Sequence, residues 1–550
     1  MRRSEQRSLF VGGQVFDGKR YAGPLAVLVE AGRIVAVDDA RTLESEARDA
    51  ERVDLKGGLL APGFHDAHMH PVLGGLERLR CELYDLSHPE QYIEAILEHR
   101  ARQSGHEWFR GGGWSVTSFG PHGPAAAELD RVLPQQPAFL PSSDHHNAWV
   151  NSEALRICGI DEHTADPPDG WIERDASGRP TGTLREAAMA LVGDRVSTSS
   201  AEYYEGLLEA QQYLWSVGIT GWHDALVGGY AGIDDPTPAY LRAIAAGTLR
   251  SHVRGSLWWD RHRSSSAEEI AAQAEELVVR RHELGEAGLD AGSVKVMVDG
   301  IAETFTATVG TAYQDGGGCP CGDHGLPFLS REALQETAVA VDRAGFQLHF
   351  HAIGDQAVHD ALDAVEAARR RNGMNDRRHH IAHLQLVRPA DRPRFRRLGV
   401  VANLEGMWAS ADDPAVQAMV PHLPREQAAW HYPFADIVRT GGAVSGGSDW
   451  PVNHPDPVAA LHVLVNRRSW TGSTHPSEPL VPEQALTLET AFAAYTSGSA
   501  HVNHRPHAGA LQVGNVADLV VLDPDPFLGR DDHIGATQVV STWIAGDRVV

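Results

Sequence analysis

The stretch PGFHDAHMHPVLGG, residues 62–75, places His65, His68 and His70 within six positions. Imidazole is both the commonest metal ligand and the side chain best suited to carry protons near neutrality. On an extended strand, residues two apart share a face. His68 and His70 therefore point one way and His65 the other, and two imidazoles on one face can hold one cation. The chain has 30 His, so a chance pair is ordinary. Further ligands must come from elsewhere in the chain.

Suitable groups recur at the ends of strand-like segments. In SVKVMVD (293–299) three valines share a face, leaving Lys295, Met297 and Asp299 on the other. A lysine on an inward face is costly unless paired or chemically changed. One reading is an amine that reaches the rim and pairs with Asp299. The other is a lysine carbamylated by CO2, whose two oxygens bridge two metals. In FQLHFHAIG (346–354), His349 and His351 face inward, with His351 nearer the strand's end. In HHIAHLQLV (379–387), His383 shares a face with Ile381 and His379, and in GGAVSGGSDWPV (441–452) Asp449 ends an apolar, glycine-rich strand. Each reads alone as a buried, hydrogen-bonded polar residue. Together His68, His70, Lys295, His351, His383 and Asp449 form a nitrogen and oxygen set suited to Zn2+ or a similar divalent ion.

The elements that carry these residues alternate. Helix-like 202–217, 267–287 and a helix capped by Ser330 are interleaved with strand-like 219–225, 249–259 and 293–300. Asp355 is placed to cap the helix after 346–354. Counting the opening strand gives eight, which predicts a (β/α)8 barrel with its chemistry at the C-terminal strand ends. The β-rich ends predict a small β-sandwich domain formed by both termini, from residues 1–58 and 505–550. The barrel then spans 59–504, and the Trp-, His- and Pro-rich interval at about 71–200 is an insertion over its mouth.

Composition narrows the function classes. The chain has 550 residues, 42% hydrophobic and 22% charged, with a formal net charge of −25. That balance disfavours nucleic acid or an anionic membrane as partner, since both call for basic surface. A small-molecule substrate is the expected partner. No stretch approaches the ~18 apolar residues of a membrane span, and no apolar signal segment opens the chain, so a cytoplasmic location is expected. Four Cys in a chain this long are not a disulfide framework. Cys319, Cys321 and His324 sit on a glycine-rich loop; a third metal site there lacks a fourth ligand, and ordinary thiols are the favoured reading.

Other residues bear on the substrate. Trp114 follows a glycine run and reads as either an apolar pocket wall or core. His223 ends a strand outside the ligand set, as a substrate contact, a support for a ligand or a structural residue. His349 reads as a support for the ligands. Trp108, Trp114, Phe119, Trp149 and Trp171 hint at an apolar or aromatic N-substituent, against the alternative that they build a core.

The motifs LLAPGFHDAHMHP, HNAWVNSEAL, GRPTGTLREAA, VKVMVDG, HAIGDQAV, IAHLQLV, GSDWPV and VGNVADLVVLDPDPF extend from about residue 58 to 528. In this order the chain resembles the amidohydrolase superfamily, and more narrowly the branch containing N-substituted formamide deformylases. The resemblance implies a binuclear metal centre in which His68, His70 and Asp449 hold one ion, His351 and His383 the second, and carboxylated Lys295 bridges both. Two Zn2+ per chain are expected, one being the alternative. His65 stands where relatives usually carry an aliphatic residue, in keeping with its opposite parity. The resemblance also places His146 in the pocket, with Trp149 and Asn151 in support and His145 as a solvated neighbour, and implies a homodimer. A divalent ion lowers the pKa of its water to about 7, giving a hydroxide nucleophile, and Asp449 can relay the proton to a leaving nitrogen. The expected reaction is hydrolysis of a non-peptide C–N bond (EC 3.5), in an N-substituted formamide or N-acyl amine. The alternatives are a lactone or ester hydrolase using the same centre, and a non-catalytic regulatory relative.

Overall fold

The computed structural model describes residues 7–550 except 85, 87, 103–106, 121, 144, 169, 230–234, 316–321 and 471–477. Eight parallel strands form a nearly closed barrel: β1 (Phe64–Met69), β2 (Ile219–Val227), β3 (His252–Trp258), β4 (Asp290–Met297), β5 (Gln347–Ala352), β6 (His380–His383), β7 (Val401–Glu405) and β8 (Ala443–Gly447). Each is paired with its chain-order neighbour. The seam between β8 and β1 is closed just beyond the strands, where Asp449 N donates to His68 O at 2.7 Å and His70 N to Trp450 O at 2.6 Å. Two of the residues of interest are thus fixed by the backbone bonds that shut the barrel.

Helices cover the outside: α1 (Pro71–Leu79), α2 (Ser200–Ser216), α3 (Thr237–Ala246), α4 (Ala267–Glu286), α5 (Arg331–Arg343), α6 (Asp355–Asn372), α7 (Arg392–Leu398) and α8 (Phe434–Arg439). Their starts are written in side chains that satisfy orphan N–H groups. Ser199 and Glu202 form a reciprocal capping box on α2, Ser266 caps α4 and Ser330 caps α5. Asp355 is not a cap. Gly354 takes that place, and the Asp355 carboxylate binds Arg388 Nε at 2.6 Å. Outward strand residues such as Val294, Val296, Leu348, Phe350 and Ile381 are buried beneath these helices in one continuous core. That double-sided burial is what parallel strands require. α1 and α2 cross back to back at glycines: a Cβ on Gly75 would lie 1.8 Å from Gly206 O.

Strands from both chain ends form two further sheets, one of four and one of six strands. They pack through Phe10, Val15, Val27, Leu60, Leu519 and Trp543. Leu59–Pro62 belongs here, paired with Gln14–Phe16 and Leu519–Asp523. The barrel therefore starts at Phe64, not at residue 59, because the apolar run is split at Gly63 between two sheets. Residues 81–186 hold another six-stranded sheet, from Cys81–Glu82 to Pro180–Glu186, with its own cores. No helix among the described residues is long and apolar enough to cross a membrane.

Candidate metal centre

Strand period and register bring the first residues together. Lys295 on β4 lies beside His349 on β5, and Met297 beside His351. His68 is on β1, and His70 follows it as the N-terminal cap position of α1, with Pro71 next. His68, His70, Lys295, His351, His383 and Asp449 all line one cavity of about 820 Å3. Within it Asp449 Oδ1 lies 3.0 Å from His68 Nε2 and 3.1 Å from His70 Nε2. Lys295 Nζ lies 3.2 Å from His68 Nε2. His68, His383 and Asp449 offer ligand atoms within 4.8 Å of one another, and the rings of His351 and His383 are 4.1 Å apart.

Two of these residues are not aimed by strand alternation. Just before β6, His379 points outward, its Nε2 3.0 Å from Asp342 on α5. His380 is the ring that packs against His349, at 4.0 Å between centroids. The expected shared face of His379, Ile381 and His383 does not exist. His383 instead leaves the strand with φ +77°, and Asp449 has φ +56°. Non-glycine residues in this region cost energy and persist where surrounding structure holds them, often at functional sites.

The donor set fits a divalent ion. Glu405, at the end of β7, lies with Oε2 2.6 Å from His383 Nδ1 and has a fully buried side chain. That contact keeps the ring proton on Nδ1 and leaves Nε2, which is buried with no hydrogen-bond partner. The carboxylate–histidine pair is the arrangement that orients and strengthens an imidazole ligand. His351 Nε2 lies 3.2 Å from Gly300 O; a carbonyl only accepts, so Nδ1 is the bare nitrogen of that ring. Asp449 Oδ1 is likewise buried without a hydrogen-bond partner. Such orphaned acceptors converging in one buried place are costly on their own and suit Zn2+ or a similar ion.

Electrostatics follow from burial. Burial lowers the Lys295 amine to about 8, with Asp449, Glu405 and Asp224 acting against it. Burial raises the Glu405 carboxyl, opposed by His383. Burial also drives His68 and His351 well below the ordinary imidazole value. Asp299 does not pair with Lys295. Its oxygens accept N–H bonds from Thr308, Ile353 and Gly354 at 2.8–3.1 Å, because β4 ends at Met297.

The substrate residues are rearranged. His146 lines the cavity, with Nδ1 2.9 Å from Glu186 Oε2. His145 lines it too, rather than facing solvent, and sits 3.2 Å from the Tyr84 hydroxyl. Trp114 is core, not pocket wall: it is fully buried, its indole N–H donates to Leu140 O at 2.7 Å, and it packs edge-on against Phe119 and Trp149. Asn151 caps the helix Ser152–Cys158. His223 is fully buried beneath the cavity and touches Ser256 and Asn503. The apolar wall comes instead from residues such as Leu73, Met189, Leu226, Trp258 and Trp408. Gln385 also lines the cavity, and its Nε2 has no hydrogen-bond partner. Glu405 and Gln385 were both missed in the sequence. The signal for Glu405 was an acid ending an apolar strand, the same one that marks Asp449. Cys319 and Cys321 lie outside the described residues; His324 Nδ1 is 3.0 Å from Val309 O.

A family model described as the amidohydrolase family matches residues 51–550. The chain belongs to the amidohydrolase family. It is 30% identical over 547 residues to an N-substituted formamide deformylase of Arthrobacter pascens, covering 95% of this chain and 94% of that protein. It is 28% identical over 531 residues to the putative amidohydrolase YtcJ of Bacillus subtilis, covering 95% of each. A solved structure titled as an uncharacterized metal-dependent hydrolase from Pyrococcus horikoshii superposes with a TM-score of 0.73 at 22% identity, over 96% of this chain and 99% of that one. That likeness shows the shared fold, and this amidohydrolase carries candidate His and Asp ligands at the C-terminal ends of its barrel strands.

Proposed function

We propose that this amidohydrolase cleaves a non-peptide amide C–N bond of a small molecule, with N-substituted formamides and N-acyl amines as the substrate class. The observation that carries the reading is Asp449: a carboxylate beside His68 and His70, at the floor of a cavity whose walls are largely apolar. The 30% identity to an N-substituted formamide deformylase supports the bond type.

His68, His70, His351, His383 and Asp449 would hold the metal, with Zn2+ and two ions per chain as the proposed state. Such an ion lowers the pKa of water and polarises a carbonyl. Lys295 is the candidate bridge. Its buried neutral amine can add to CO2, forming an N–C bond and releasing one proton, and so gain two oxygens beside His68. Asp449 accepts the proton of the attacking water and returns it to the leaving nitrogen. Gln385 Nε2 donates a hydrogen bond to the substrate from the cavity wall. Leu73, Met189, Leu226 and Trp258 receive the apolar part of the amine and keep bulk water away.

The test is a panel of N-substituted formamides, N-acetyl amines and matched esters and lactones, assayed with zinc-loaded protein beside Asp449→Asn. Amide turnover that exceeds ester turnover and falls by about 10^2–10^4 in D449N is the expected result. Turnover of esters and lactones without amides would assign the centre to the other bond.

A further inference from the structure

Three buried rings, one hydroxyl and one amide lie under the candidate centre in an unbroken line. His68 Nδ1 is 2.7 Å from His349 Nε2. His349 Nδ1 is 2.8 Å from Ser256 Oγ, and Ser256 Oγ is 2.8 Å from His223 Nε2. His223 Nδ1 is 3.2 Å from Asn503 Oδ1, and Asn503 Nδ2 donates to Asp66 O at 3.0 Å. The members come from β1, β5, β3 and β2, and from the turn that follows Ser499–Val502. All are at most 2% exposed.

The direction of every proton in this line can be read. Asp66 O only accepts, so the Asn503 amide nitrogen faces it and its oxygen faces His223. That oxygen requires a proton on His223 Nδ1, and a neutral ring then has a bare Nε2. The Ser256 hydroxyl donates its one proton to that bare nitrogen and accepts from His349 Nδ1. His349 Nε2 is therefore bare and accepts from His68 Nδ1, which leaves His68 Nε2 without a proton. At the other end of the line, Lys295 Nζ lies 3.2 Å from His68 Nε2. Asp449 Oδ1 then faces a bare nitrogen across 3.0 Å, an arrangement that a cation between them relieves.

We propose that Asn503, Ser256 and His349 form a one-directional hydrogen-bond relay whose function is to hold His68 in the tautomer with a bare Nε2, ready to ligate a metal. Ser256 and Asn503 are positioning residues: Ser256 acts on His68 through one intervening ring, His349, and Asn503 through two, His223 and His349. The relay also bears on the separate group of His223, His349 and His380, whose nitrogens lie close enough together to suggest another ion site. Both nitrogens of His223 and His349 are already engaged in the relay, so only His380, which has no hydrogen-bond partner on either nitrogen, would be left to ligate.

The inference rests on the metal-centre reading, and the experiment separates the two. Nitrogen NMR of isotopically labelled, metal-free protein reads which nitrogen of His68 carries the proton. Competition with a chelator reads Zn2+ affinity in wild type, Ser256→Ala, Ser256→Thr and Asn503→Leu. The expected result is a proton on His68 Nδ1 in wild type, an affinity lower by about 10–100-fold in S256A and N503L, and recovery in S256T, which keeps the hydroxyl. A proton on His68 Nε2 in wild type would overturn the relay. So would S256A and N503L proteins that bind Zn2+ as wild type does. Should S256A fail to fold, N503L and the wild-type tautomer decide. A wild type that binds no Zn2+ would end the metal reading, and the tautomer measurement would still decide the relay.

Discussion

Glu405→Gln separates a residue that serves the metal from one that serves the fold. The Glu405 side chain is fully buried, with Oε2 2.6 Å from His383 Nδ1 and Oε1 3.9 Å from His68 Nδ1. Glutamine keeps the shape and an acceptor but removes the charge. A hydrogen bond to a charged group contributes about 1.5–3 kcal/mol. Outer partners of metal-bound histidines contribute about 10–100-fold in affinity, which at about 1.4 kcal/mol per tenfold is the same range. Zn2+ affinity should therefore fall by about 10–100-fold. The metal-free protein should behave oppositely. Burial already raises the Glu405 carboxyl, and nearby Asp449 adds to this against the pull of His383 and Lys295. Removing a charge from such a place relieves desolvation, so the melting temperature of chelated E405Q should equal or exceed that of chelated wild type. The assays are zinc competition against a chelator and thermal unfolding with metal removed. Unchanged affinity would refute the reasoning. A parallel loss of affinity and metal-free stability would make Glu405 a structural residue instead.

Lys295→Ala should lower bound Zn2+ from two equivalents to one, by elemental analysis, with no recovery on adding bicarbonate. Because burial lowers the Lys295 amine to about 8, the neutral amine that reacts with CO2 increases as pH rises through 8, and bicarbonate-dependent uptake of the second equivalent in wild type should rise with it between pH 7 and about 9. His65 has no hydrogen-bond partner on either nitrogen, and burial lowers its pKa from 6.5 to about 3. Between those values the unfolded chain binds a proton that the folded chain does not, so its contribution is fully present above pH 6.5 and is lost as pH falls toward 3. At pH 5 the loss is about 2 kcal/mol. His65→Leu should therefore flatten the acid limb of a stability–pH curve measured by denaturant unfolding; an unchanged limb would show that His65 is solvated or paired.

Strand alternation and the rule that barrel chemistry sits at C-terminal strand ends were enough to mark six residues that share one cavity. Both are local properties: a two-residue period is visible in any strand, and an acid, lysine or histidine inside an apolar run has few cheap explanations. The same local rule misplaced what irregular backbone decides. His383 and Asp449 reach the cavity through positive φ, and His380, not His379, faces inward. Sequence left Trp114 open between pocket wall and core, since composition does not distinguish an aromatic residue that packs the insertion's core from one that lines a pocket. Contacts between distant strands were out of reach altogether. His68 meets His349 across 281 positions, and His223 meets Asn503 across 280. Sequence determined which faces of β1, β4 and β5 point into the barrel. Only closure of the barrel decided which inward side chains meet at the same height, because that depends on the register of eight strands at once, and with it which nitrogen of each histidine is left bare.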